Sequence, residues 1–150
     1  MTSPHGRSMP AATAEIIASL LREGLDVRLR LSGWSMKPLV RSGSMIRFEG
    51  CGEPAVGDVV LARLPNDALV AHRVVVLDGD RVWTKGDACR VPDGPLTREN
   101  ILGRAVRLEG AISLPLANVW MRTLGLVVNR LYPRLVLIYR GLFPREESAS

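Results

Sequence analysis

The period of apolar and polar positions changes twice along this chain, and the three stretches so marked predict different elements. Ala11–Glu23 carries Ile16, Ile17, Leu20 and Leu21 at helical spacing, with Gly24 where a left-handed cap belongs. That predicts one short helix. From Leu25 the pattern alternates, with Val27, Leu29 and Leu31 against Arg28, Arg30 and Ser32, as in a strand with one face towards a core. Further strands are expected at Met45–Phe48, Asp58–Arg63, Leu69–Leu77, Arg81–Lys85 and Ile101–Leu108. Turn formers separate them: Gly50-Cys51-Gly52, Pro65-Asn66-Asp67, Asp78-Gly79-Asp80 and Pro92-Asp93-Gly94-Pro95. Asp78-Gly79 suits a tight hairpin.

Past Leu114 the period becomes helical again. Over residues 114–143, Arg122, Arg130, Arg134 and Arg140 fall within an arc of about 120° at ~100° per residue, and the remainder is largely apolar. Two arrangements fit this amphipathic tail. One is a helix in a membrane interface, its basic side towards anionic headgroups. The other is a helical hairpin bent at Pro133 and packed on the domain or on a second subunit. No uninterrupted apolar run reaches the ~18–20 residues of a spanning helix. Residues 1–10 are polar and turn-rich, unlike a secretory signal. The expected organisation is therefore a disordered lead and short helix over 1–24, a β domain over 25–110, and an amphipathic helical tail over 111–150. The fold class is mainly β (α+β), built from short antiparallel strands.

Composition narrows the function. The chain has 150 residues, 47% of them hydrophobic, enough for one domain with a real core. Its formal charge of +5 suits an anionic partner. Aromatics at 5% argue against a base-stacking platform, and no nucleic-acid partner is expected. Cys51 and Cys89 cannot make a disulfide scaffold or a four-cysteine zinc site. No metal or cofactor is expected, and the chain reads as cytoplasmic, either free or peripheral to the inner membrane face.

Three places hold residues with chemical capacity. Ser35 lies in Gly33-Trp34-Ser35-Met36-Lys37-Pro38, where glycine and proline bracket a sharp turn. A nucleophilic serine needs such an exposed hydroxyl beside unpaired backbone N–H groups, although an ordinary turn serine reads the same way. His72 interrupts the apolar strand Leu69–Leu77, sharing a face by alternation with Val70, Val74 and Val76. It fits either a general base or a strand histidine bonded to a carbonyl. Asp87 and Asp93 follow in a turn-rich loop, where either could orient an imidazole or cap its own turn. Trp34 and Met36 could line a substrate groove or join the core.

The order of these boxes is informative. Ser35-Met36-Lys37-Pro38, Gly57-Asp58-Val59-Val60, His72-Arg73-Val74, Lys85-Gly86-Asp87 and Ile101-Leu102-Gly103-Arg104-Ala105-Val106 together resemble the signal peptidase I and SOS-repressor (LexA-like) serine peptidase superfamily. The likeness covers roughly residues 29–109. It implies a mostly β fold with a shallow cleft and metal-free cleavage of a peptide bond in a precursor or leader. With histidine where the bacterial branches carry lysine, the chain looks like the endoplasmic-reticulum and archaeal branch. By that resemblance Ser35 is the nucleophile, His72 the base, and Asp93 the orienting carboxylate, with Asp87 second. Gly33, Trp34 and Met36 would flank the oxyanion site and groove. The N-terminal section, about 25 residues, is too short for a repressor's DNA-binding module. The departure at Gly43-Ser44, with no membrane anchor expected, motivates an alternative: an inactive relative serving as a binding or membrane-surface assembly module. Ala88-Cys89 is a further departure from the family pattern.

Overall fold

The computed structural model describes residues 10–110 and 113–142. The expected disordered lead lies outside them, apart from Pro10. Helix α1 (Ala11–Arg22) buries Ala14, Ile17, Ala18 and Leu21. Ile16 faces solvent instead, because a 3.6-residue period puts it opposite Ala14 and Ala18. The helix ends in a Schellman cap: Gly24, at φ 80°, donates its N–H to the Leu21 carbonyl, and Leu25 donates to Leu20.

Eight antiparallel strands follow among the described residues: β1 (Val27–Arg30), β2 (Met45–Gly50), β3 (Val59–Arg63), β4 (Leu69–Asp78), β5 (Arg81–Lys85), β6 (Asp93–Thr97), β7 (Ile101–Glu109) and β8 (Leu114–Pro115). They form one curled sheet, a half-barrel, in the order β1-β2-β7-β3-β4-β5-β6. Strand β8 pairs with Arg107 and Leu108 of β7, beyond the stretch that β3 occupies. The mainly β expectation is therefore met. Two of these strands are not among those the sequence predicts. Asp93–Thr97 looks like turn chemistry but completes the outer edge of β5, with Val82 opposite Leu96 and Thr84 opposite Asp93. Leu114–Pro115 falls within the segment expected as helical tail but pairs with β7 as β8.

Strand β3 separates two apolar clusters. Val59 and Leu61 point into one with Ile17, Leu21, Ile46 and Phe48, while Val60 and Ala62 point into the other with Val74, Val82 and Leu96. Burial on both faces explains its unbroken apolar run. Strand β4 is buried from Val70 to Val74. Beyond Val74 its register against β5 slips, Val74 facing Thr84 and Val76 facing Trp83, and Val76 emerges to solvent. The alternation that grouped Val76 with His72 thus breaks at that irregularity.

The tail is a single helix, α2 (Val119–Leu142), which runs through Pro133. Of the two arrangements open to the tail, the hairpin bent at Pro133 does not form, and the reason is local. Proline lacks the N–H that would reach the carbonyl four residues back, that of Asn129. Lys85 Nζ takes up this carbonyl instead, at 2.9 Å. A narrow face of α2 meets the sheet. A Cβ on Gly125 would lie 2.1 Å from the Arg73 guanidinium, and one on Gly57 would lie 2.9 Å from Arg122 Cβ. The opposite face leaves Trp120, Leu124, Val127, Leu131 and Ile138 exposed. No helix among the described residues is long and apolar enough to cross a membrane.

Candidate active site

Strands β4, β5 and β6 bring three polar side chains together. Across the ladder, Val74 faces Thr84 and Thr84 faces Asp93, so these positions share a face, with His72 one pleat from Val74. His72 Nδ1 lies 2.5 Å from Asp93 Oδ2. Thr84 Oγ1 donates to the same oxygen at 3.3 Å. His72 and Thr84 are fully buried, whereas the Asp93 side chain keeps 19% of its surface. A carboxylate only accepts, so Nδ1 carries the proton and Nε2 is the basic nitrogen of the neutral ring.

Ser35 stands on the turn after β1. Its carbonyl accepts the Ala88 N–H at 2.7 Å, tying that turn to the loop after β5. The approach is close: a Cβ on Gly86 would fall 2.8 Å from Ser35 Cβ and 2.7 Å from Cys89 Sγ. Only glycine fits position 86. Ser35 and Asp93 both line one cleft of roughly 480 Å³, with Trp34, Ala88, Cys89 and Pro92 among its other walls. Trp34 is exposed at the rim, and Lys37 Nζ sits 4.1 Å from its ring centroid. Met36 is buried in the core with Ile46 and Phe48 and does not line this cleft. Gly33, at φ 106°, donates its N–H to Ser42 Oγ at 3.3 Å.

Asp87 is committed elsewhere. Both its oxygens accept from Arg73, at 2.9 and 2.8 Å, and Asn129 Nδ2 adds a third bond at 2.8 Å. Arg73 also donates to the Gly57 carbonyl at 2.8 Å. Neighbours in sequence, His72 and Arg73 point to opposite faces of β4, and each takes its own aspartate. Lys85 Nζ donates to the carbonyls of Cys89 and Asn129, at 2.6 and 2.9 Å, which pins the loop behind Ser35 to α2. Burial lowers the Lys85 pKa against the opposing pull of Asp87 and Cys89. Burial also raises the Cys89 thiol, and the Asp93 carboxylate adds to the effect.

The sequence assigns no role to Thr84, Arg73, Cys89 or Asn129 at this site. Arg73 lies inside the His72-Arg73-Val74 box and Thr84 directly before Lys85-Gly86-Asp87, and a lone amide at Asn129 among apolar helix residues is the available sign of a docking face. Among the described residues no group of acidic, histidine or cysteine side chains is arranged to hold a metal ion.

No curated protein and no solved structure matches the chain. A family model described as signal peptidase, peptidase S26, does match, over residues 8–111, about two thirds of the sequence and all of β1 to β7. With Ser35, His72 and Asp93 all inside the matched span, the chain belongs to the signal peptidase family, peptidase S26.

Proposed function

We propose that this protein is a serine endopeptidase that cleaves a leader or precursor peptide through an acyl-enzyme. The observation that carries the reading is the 2.5 Å contact between His72 Nδ1 and Asp93 Oδ2, beside a cleft that Asp93 shares with Ser35. An Asp-held imidazole has its proton fixed on Nδ1, leaving Nε2 to act as base.

In the proposed reaction Ser35 Oγ attacks the scissile carbonyl carbon while its proton passes to His72 Nε2. Negative charge moves onto the carbonyl oxygen, and Asp93 stabilises the imidazolium. The Ser35 N–H, with a second donor from its turn, would hold that oxyanion. Engagement of the Gly33 N–H by Ser42 favours Trp34 as the second donor. Loss of one such donor typically raises the barrier by about 3–4 kcal/mol. Collapse breaks the C–N bond, and the proton on Nε2 goes to the leaving amine. Water, deprotonated by His72, then releases the acyl group and restores Ser35.

The test uses the full chain and its precursor. Ser35→Ala and His72→Ala should each abolish cleavage with the fold intact, the buried His72→Ala at some cost in melting temperature. A serine-reactive probe should label wild type and neither variant. Undiminished cleavage by Ser35→Ala would sink the proposal. Precursor binding without labelling or cleavage would instead support the inactive-relative reading.

A further inference from the structure

The cleft at Ser35 continues towards α2. Trp34, Ala88 and Arg90 also border a second hollow of about 250 Å³ that reaches Tyr132 and Val136. Arg90 borders a third as well, about 330 Å³, between the loop after β5 and the turn of α2 holding Pro133. Arg90 thus lines all three hollows, which adjoin one another around its side chain as a branched groove would.

Its charge is one-sided. Lys37, Lys85, Arg90, Arg130, Arg134 and Arg140 line it, and the carboxylate in the lining is Asp93, already bound to His72. Elsewhere arginines meet acids: Arg28 with Glu109, Arg63 with Glu15, Arg104 with Glu49. Among the described residues no ion pair involves any of the six groove cations. Residues 119–142 contain neither Asp nor Glu. Like charges gathered in a concave surface focus a positive potential there, which an anionic ligand relieves. An elongated groove leading out of a peptidase cleft suits an extended chain better than a small anion.

We infer that this groove receives an acidic segment of the substrate, a run of Asp and Glu flanking the scissile bond and lying across Arg90 towards α2. The inference rests on the peptidase reading for the bond that is cut, but the binding can be measured without cleavage.

The experiment uses full-length Ser35→Ala protein and fluorescein-labelled peptides with a small-residue centre, flanked on either side by Glu and Asp or by Gln and Asn. Fluorescence anisotropy should show the acidic peptide binding about tenfold tighter than its amide counterpart, with the advantage shrinking from about 50 to about 200 mM salt. Arg90→Glu and Arg134→Glu should each weaken acidic-peptide binding about tenfold. Arg81→Glu, exposed on β5 outside the groove, should leave it unchanged. Melting curves confirm that each variant is folded. Equal binding of acidic and amide peptides, or equal damage from Arg81→Glu, overturns the inference. So does Arg90-dependent flotation with phosphatidylglycerol vesicles in the absence of any peptide preference, which would assign the cations to lipid phosphate. Probe labelling of wild-type Ser35 reads the peptidase proposal separately: acidic preference without labelling removes the catalysis and keeps the groove.

Discussion

His72 and Asp93 stand twenty-one positions apart, yet a 2.5 Å contact joins Nδ1 of one to Oδ2 of the other, because β5 lies between their strands and sets both registers. Thr84, on that middle strand, bonds the same carboxylate oxygen. The imidazole is thus fixed by a carboxylate that is itself fixed. Replacing Asp93 by Asn keeps the shape but allows an amide N–H to face Nδ1, which favours the tautomer with its proton on Nε2. That ring cannot accept from Ser35. Asp93→Asn should lower kcat by about 10⁴ with little change in melting temperature. Steady-state cleavage beside a thermal melt checks this. A loss below tenfold would show that the carboxylate does not orient the base.

Asp87 should give the opposite result. It is fully buried with two bonds from Arg73 and one from Asn129. Asp87→Ala leaves a guanidinium buried without its counterion, and the expected cost is about 3–5 kcal/mol of stability. Replacing both partners, Arg73→Met with Asp87→Leu, should recover much of that loss, since the apolar pair leaves no charge behind. Urea denaturation of the three variants measures it. Additive losses would refute the ion-pair account.

How much of this was visible in the sequence depended on the range of the interaction. Helix α1 and six of the strands announced themselves through period, which is a local property. Ser35, His72 and both aspartates stood out by residue type and order. Their division of labour did not, because it depends on which face of β4 each neighbour points to: His72 meets Asp93, and Arg73 meets Asp87. Strand β6 was hidden because Asp93-Gly94-Pro95 has turn composition, and only the open edge of β5 makes it extended. At Pro133 the period leaves a continuous helix and a bent hairpin both open, for a similar reason: the missing N–H is compensated by a lysine forty-four positions away from Asn129.

That compensation has a measurable consequence. Lys85→Met keeps the length of the stem but removes the donor to the carbonyls of Cys89 and Asn129. A carbonyl left unmet inside the structure costs about 1–3 kcal/mol. Restoring the helix's own bond with Pro133→Ala should make the Lys85→Met loss smaller, because the Asn129 carbonyl then has an N–H to accept. A double-mutant cycle by denaturation tests this coupling. Identical losses in the two backgrounds would rule out Lys85 as the stand-in donor.

Gly125 sets helix propensity against packing. Alanine in place of glycine inside a helix normally adds about 1 kcal/mol. Here its Cβ would meet the Arg73 guanidinium at 2.1 Å. A free arginine tip would swing away, but this one is held by Asp87 and the Gly57 carbonyl. Overpacking of this kind costs about 1–3 kcal/mol, so packing should win and Gly125→Ala should melt lower than wild type. A higher melting temperature would mean that α2 does not dock through this contact.

The two thiols report on the cleft from independent positions. Burial raises the pKa of both Cys51 and Cys89. A raised thiol pKa means less thiolate at any given pH, and the thiolate is the nucleophile. Iodoacetamide at neutral pH should therefore modify both more slowly than free cysteine, with rates climbing only as pH passes above the ordinary thiol range. Cys89 lines the cleft beside Ser35 and Asp93, while Cys51 lies in a separate hollow with Leu21 and Ile101. Peptide bound to Ser35→Ala protein should shield Cys89 and leave Cys51 unaffected, as read by mass spectrometry of the alkylated chain. Equal shielding of both would place the peptide elsewhere, and rapid neutral-pH alkylation of Cys89 would contradict its buried setting.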